Sequence, residues 1–394
     1  MKAVPMTRKA FLAVLAATAL ALTGCSAAGG PAAEGGKGEV VVGALTSLSG
    51  ANSPSGKNWL EGFKVGLDFA IGGTGEVNGT KITIEEVDDR TDPNTAMTEA
   101  TDLVGRGVKI IAGTQSSGIA LNLAGFAEEN DILYITGSAN SNQITGANAN
   151  TFRGSRQAYQ DVATLVEGLG DKVDGAKIGI LAHDIEYGKS LIETTKTIIG
   201  DRAESITEVL APFPTDDVAP YVQRIKSGDF DIVIPFWSGD VTAMWRALEQ
   251  QDIFSSAQVM SNIGMRPTWP TYAEIKSPNL SLFTSYVENH VDNDAARFLD
   301  KEVAGLGNEV DYIHADGFLA AQMIVHAIGE TSAGSTADMI AALEGYSFDS
   351  PRGPTSIRAE DHALTAPMVF LHFEDGKAVV DSTVDGADIA PPLP

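Results

Sequence analysis

The chain has one cysteine, Cys25, in 394 residues, so no intramolecular disulfide can form and no thiolate metal cluster can assemble. Basic residues are scarce: 27 Lys and Arg stand against 52 Asp and Glu, for a formal charge of −25. Nucleic-acid phosphates require a basic surface, so no nucleic-acid partner is expected. Broad adhesion to anionic lipid is disfavoured for the same reason, and the acidity serves solubility. The histidines (His183, His290, His314, His326, His362 and His372) are scattered without metal-ligand spacing. There is no Gly-x-Ser-x-Gly elbow. Between Gly50 and Gly56-Lys57 stand five residues, and Asn58 follows the lysine; a phosphate loop has four, then Ser or Thr. Gly73-Thr74-Gly75 with Gly79 misses the dinucleotide spacing and follows a helix. The carboxylate pairs Glu85-Glu86 and Asp88-Asp89 lie on or just after a strand, where neighbours point to opposite faces. These absences predict a protein that is not an enzyme and takes neither metal nor cofactor.

Long apolar runs are also missing, with one exception. Lys2, Arg8 and Lys9 precede an apolar run, Phe11 to Leu22, of roughly a dozen residues, too short to span a bilayer. It ends in Leu22-Thr23-Gly24-Cys25, which resembles the bacterial lipobox. The resemblance implies a lipoprotein signal peptide over 1–24 and a diacylglycerol on the Cys25 thiol; the alternative is an ordinary signal peptide with an incidental cysteine. Residues 25–38 are rich in Gly, Ala, Ser and Pro and read as a flexible tether, which would hold the protein to a membrane by its lipid alone. About 370 residues then remain, with a charge near −28. That is too long for one typical core and predicts two lobes.

From Glu39 onward short β-type runs alternate with amphipathic helices. Strands are expected at 40–45, 81–87, 108–113 and 132–135, with helices carrying Trp59, Leu60, Phe63 and Leu67, from Asp92-Pro93 to about Gly105, and from Ala120 to Glu129. The alternation restarts with a strand at 177–181, a helix at 187–199, a strand at 231–234 and a helix with Val241, Met244, Trp245 and Leu248 on one face. A late helix carries Tyr312, Phe318 and Met323, and Met368–Leu371 with Ala378–Val380 reads as a hairpin. Such alternation implies parallel sheets covered on both sides. Two series imply two doubly wound α/β lobes, with ligand sites at the carboxyl ends of their strands.

Several of these segments resemble the type I periplasmic solute-binding proteins, in the branch of branched-chain amino acid and amide receptors. The similar segments are Val42-Gly43-Ala44-Leu45 through Ser49-Gly50 to the Trp59 helix, Asp131 to Thr136 with Ser138-Ala139-Asn140, Phe152-Arg153, Ile178 to Leu181 with Glu186-Tyr187-Gly188, and Asp311-Tyr312 to Ala321. Each motif is weak alone; their order and spacing carry the resemblance over nearly the whole chain after the tether. It implies a periplasmic-binding-protein fold of type I, two lobes joined by hinge strands with a ligand cleft between them. Lobe 1 is expected over 39–154 and 288–350, lobe 2 over 155–287 and 351–394. It also implies a small-molecule ligand (amino acid, amide or aromatic acid), capture by hinge closure, and ABC permease and ATPase subunits as partners. The alternative is a ligand-sensing receptor module of this fold working with a separate signalling partner.

Candidate ligand contacts follow. Ser116 and Ser117 lie between a strand and a helix, where hydroxyls and free backbone N–H groups suit a carboxylate. The same serines suit N-capping, and one serine can do both. By resemblance Ser117 binds the ligand carboxylate. Ser138, Ala139 and Asn140 form the next loop; the resemblance places a threonine more often where Asn140 stands, and plain turn chemistry is the other reading. Tyr187 and Trp237 are expected to close over the ligand from lobe 2, against ordinary packing. Asn262 stands where α-amino-acid binders often place an acid. Asp184 or Asp240 would have to substitute, or these are solvated surface charges. The missing acid favours an amide, an aromatic acid or another carboxylate. Arg156 is read as a partner for an anionic ligand or as one half of a hinge salt bridge. Trp59 has the spacing of a core residue, with the cleft mouth as its other location.

Overall fold

The computed structural model describes residues 38–331 and 334–393. The leader, Cys25 and the tether up to Lys37 lie outside the described residues. Among the described residues no helix is long and apolar enough to cross a membrane.

The first sheet holds β1 (Glu39–Thr46), β2 (Glu76–Val77), β3 (Thr80–Asp88), β4 (Ile110–Gly113), β5 (Leu133–Thr136) and β6 (Thr151–Phe152), in the order β2-β3-β1-β4-β5-β6. All pairs are parallel except the β2–β3 edge. Successive residues of a strand face opposite ways, and β1 uses both faces. Val42 and Ala44 enter the core under α1 (Ser53–Ala70), while Leu45 enters the core under α2 (Pro93–Gly105) and α3 (Ser117–Glu129). The α2 start follows from local chemistry: Pro93 occupies the first turn and the Asp92 carboxylate accepts from Thr95 N at 2.7 Å.

The second sheet holds β7 (Lys177–His183), β8 (Ser205–Ala211), β9 (Ile232–Phe236), β10 (Gln258–Asn262) and β11 (Leu280–Thr284). It is wrapped by α4 (Ala158–Leu169), α5 (Glu186–Ile199), α6 (Ala219–Ser227), α7 (Thr242–Gln250) and α8 (Trp269–Glu274). Again both faces are used: Ile232, Ile234 and Phe236 pack with α4 and α5, and Val233 with α6 and α7. The chain then returns to the first lobe through α9 (Asp294–Gly305), α10 (Tyr312–Thr331), α11 (Thr336–Leu343) and a small sheet of β12 (Ser347–Ser350), β13 (Gly353–Ile357) and β14 (Leu364–Thr365). The hairpin β15 (Met368–Glu374) and β16 (Lys377–Val384) closes the second sheet antiparallel to β11.

The chain therefore passes three times between lobes: after β6, after β11 and between β14 and β15. The first-lobe core reaches further than the expected limit at residue 350. Ile357 and Leu364 are buried in the same cluster as Val42 and Phe63, because β13 and β14 lay their apolar side chains on that core before the chain crosses.

Helices α1 and α10 pack backbone to backbone. A Cβ on Gly62 would lie 2.0 Å from the His314 carbonyl oxygen, and one on Gly317 would lie 2.0 Å from that of Trp59. This approach seats Tyr312, at the start of α10, at the cleft. It also corrects the placement of Trp59 at the cleft mouth: Trp59 is fully buried and stacks on Phe63 at 5.0 Å between ring centroids.

Candidate functional site

Between the lobes lies a cavity of about 1040 Å³. Its walls are the segments that follow β1, β3, β4, β5 and β6 of the first lobe and β7, β8, β9 and β10 of the second, joined by the start of α10. These are the carboxyl ends of parallel strands, where backbone groups are free and side chains converge.

The first-lobe wall is polar, and the exposed Arg90 is among its lining residues. Ser116 caps α3, its hydroxyl accepting from Ile119 N at 3.5 Å. The Ser117 oxygen accepts from the backbone N–H groups of Asn140 and Ser141, each at 3.2 Å. Both lone pairs are thus used, and its hydrogen is left to donate. Ser138 Oγ is buried without a protein partner. Asn140 donates through Nδ2 to Asp161 at 3.1 Å, and its Oδ1 has no partner. Gln115 completes this wall: its Oε1 accepts from Thr46 Oγ1 at 2.8 Å, and its Nε2 is unpartnered. Sequence reasoning missed Gln115 because a lone glutamine beside serines reads as loop polarity.

The second-lobe wall is largely apolar. Tyr187, on the first turn of α5, and Trp237, after β9, both line the cavity. Burial pushes the Tyr187 phenol well above its ordinary value. The Trp237 ring packs against His183 with its centroid 3.9 Å away and the planes tilted by 40°. His183 is held neutral by burial, which lowers it to about 4. Phe213, Met244 and Ile263 extend the apolar surface, and Asn262 interrupts it at the end of β10. Phe213 follows β8 in a loop whose sequence carries no motif.

The charged candidates separate. Arg156 lines the cavity, but its Nε is 2.6 Å from Asp161 Oδ1 and its guanidinium lies 4.7 Å from the Tyr312 ring centre. The ion pair between Arg156 and Asp161 is buried. Burial raises the Asp161 carboxyl despite Arg156. Asp240 stands exposed at the rim, accepting from Thr242 N at 2.8 Å. Two placements are corrected. Asp184 is outside the wall, 55% exposed and paired with Lys189 at 3.0 Å, as a solvated surface charge would be. Ala139 is fully buried and does not line the cavity. Its carbonyl is turned away to accept from Arg153 Nη2 at 2.7 Å and Ser155 Oγ at 3.3 Å.

The lobes are also bridged beside the cavity. Ser141 Oγ donates to Glu186 Oε1 at 2.7 Å, and Asn142 N donates to Ser190 Oγ at 3.0 Å. No group of three or more His, Cys, Asp or Glu able to hold a metal occurs among the described residues.

Two wound lobes with a cavity at their facing strand ends are the architecture of a periplasmic binding protein. The family model described as periplasmic binding protein matches residues 39–378, and the chain belongs to that family, in its type I architecture. A curated relative, a Leu/Ile/Val-binding protein homolog 3 of Brucella melitensis, is 23% identical over 352 residues, covering 86% of this chain and 93% of that one. Among solved structures, an ABC-type branched-chain amino acid transporter from Rhodopseudomonas palustris superposes with a TM-score of 0.74 at 25% identity, over 90% of this chain and 99% of that one. A solute-binding protein of an ABC transporter from R. palustris in complex with benzoate superposes with a TM-score of 0.77 at 22% identity, over 90% and 97%. These relatives are named as binding or transport proteins.

Proposed function

We propose that this chain is the extracytoplasmic, lipid-anchored solute-binding component of an ABC importer, closing on a small polar solute by rotation about its three connections. The observation that carries the reading is the cavity itself: a polar first-lobe wall of Ser116, Ser117, Ser138 and Asn140 faces Tyr187, Trp237 and Asn262 of the second lobe. The polar wall would orient the solute, and the aromatic wall would cover it and exclude water. The names of the relatives, which include Leu/Ile/Val-binding and benzoate-bound proteins, support an amino acid, an amide or an aromatic acid as solute. The lipobox at Leu22 to Cys25 supports a lipid anchor, and a permease with its ATPase would receive the closed form.

A thermal-shift screen against amino acids, amides and aromatic acids tests capture. A solute that binds the folded chain raises its melting temperature by mass action; a flat response across the panel counts against the reading. Mass spectrometry of the membrane-extracted protein tests the anchor, which predicts an N-terminal diacylglyceryl Cys25 and is contradicted by a retained leader or an unmodified thiol.

A further inference from the structure

Asn140 is held on every side but one. Its N–H donates to Ser117 Oγ at 3.2 Å and its carbonyl accepts from Ala158 N at 2.8 Å, at the start of α4. Its side-chain nitrogen donates to Asp161 Oδ2 at 3.1 Å. An ionised carboxylate only accepts, so it dictates which end of the amide faces it. Asp161 is itself fixed, 1% exposed, with Arg156 Nε on its other oxygen at 2.6 Å. The consequence is that Asn140 Oδ1 faces away from Asp161, in a residue that is 4% exposed and lines the cavity, with no partner in the protein. Ser117, its oxygen already occupied by two N–H groups, keeps its hydroxyl hydrogen to donate.

We propose that Asp161, which does not line the cavity, is a positioning residue that locks Asn140 with its acceptor oxygen toward the ligand, so that the site selects a head group carrying an N–H donor beside an acceptor oxygen. A bare carboxylate set there brings a third oxygen against Asn140 Oδ1 and leaves that buried acceptor unpaired, which costs affinity. Arg156 is bound to Asp161 through Nε alone, and it and Arg90 line the cavity, so whatever a bare carboxylate gains from them is included in the amide-to-acid ratio. Two chemistries supply the donor: the N–H of a primary carboxamide, or the ammonium of an α-amino acid. The inference rests on the solute-binding reading and narrows it.

The test is titration calorimetry on the purified protein with matched probes: isovaleramide against isovalerate, benzamide against benzoate, and leucine as the ammonium arm. Each amide is expected to bind at least about tenfold more tightly than its acid. Asn140→Leu should bring that ratio to about one, and Asp161→Asn should reduce it by freeing the amide to turn. A merely structural role would weaken both members of a pair together and leave the ratio alone. If leucine is the only probe bound, its affinity must fall about tenfold in Asn140→Leu; an unchanged affinity overturns the proposal. Acids bound as well as their amides overturn it and leave solute capture standing, as does an unchanged ratio in folded Asp161→Asn. Should Asp161→Asn not fold, the Asn140→Leu ratio decides. Silence from all five probes overturns the selectivity and leaves capture to the wider screen.

Discussion

The Ser117 hydroxyl oxygen lies 3.2 Å from the backbone nitrogen of Asn140 and ties the first turn of α3 to the loop after β5. The same oxygen takes the Ser141 N–H, so this serine builds the wall as well as facing the cavity. Ser117→Ala therefore has two expected effects. It strands two buried N–H groups, at about 1–3 kcal/mol of stability, and it weakens the best solute of the screen. Chemical denaturation and calorimetry separate them: an affinity loss of at least about tenfold beyond the ligand-free change is expected. Loss of stability with unchanged affinity would make Ser117 purely structural.

Tyr187 permits a cleaner cut. Tyr187→Phe keeps the ring on the cavity wall and removes only the phenol oxygen. Ligand-free stability should move by less than about 0.5 kcal/mol, the range of changes that touch no structural feature. Affinity should fall several-fold if the phenol contacts the solute. Tyr187→Ala should cost more affinity than Tyr187→Phe, since the ring is the larger contact.

The seam between α1 and α10 predicts a purely structural failure. Gly62→Ala and Gly317→Ala each push a methyl group to 2.0 Å from a carbonyl oxygen of the facing helix. The helices must part, at about 1–3 kcal/mol, read as a lower denaturation midpoint. Alanine is otherwise the better helix former, so an unchanged or raised midpoint would contradict the packing described.

His314 gives the fold a pH dependence with a defined sign. Burial opposes its charge, but Asp311 at 2.9 Å and Glu61 at 3.5 Å raise it from 6.5 to about 9. A raised folded-state value contributes stability that is full below pH 6.5 and lost as pH climbs through about 9. The contribution is roughly 3 kcal/mol at its upper limit. The melting temperature should fall between pH 7 and pH 9.5, and His314→Asn should flatten that part of the profile. Asp316, which burial pushes up to about 6, titrates below this window.

Much of the framework was legible because short apolar runs and amphipathic helices are local signals. The strands β1, β3, β7 and β9 and the helices α2 and α5 lie within a residue or two of their expected limits. The small sheet of β12, β13 and β14 was not legible: Gly353-Pro354-Thr355 has no strand pattern, and its pairing depends on a core built by distant segments. In the site, Ser116, Ser117, Asn140, Tyr187 and Trp237 follow strands closely and line the cavity. Asp161 was invisible for the opposite reason. It sits in the first turn of α4, where an acidic side chain reads as a solvated partner of the helix dipole, and only the fold brings Arg156 and Asn140 onto its two oxygens. Ala139 erred by assuming that a loop residue between two wall residues must share their direction.

The central claim is that the lobes close on a solute about their connecting segments. Small-angle scattering of the purified protein, with and without the solute giving the largest thermal shift, measures it most directly. The account predicts a smaller radius of gyration in the bound state, with the change abolished when the solute is omitted. An unchanged scattering curve at saturating solute, with binding verified by calorimetry on the same sample, would contradict it.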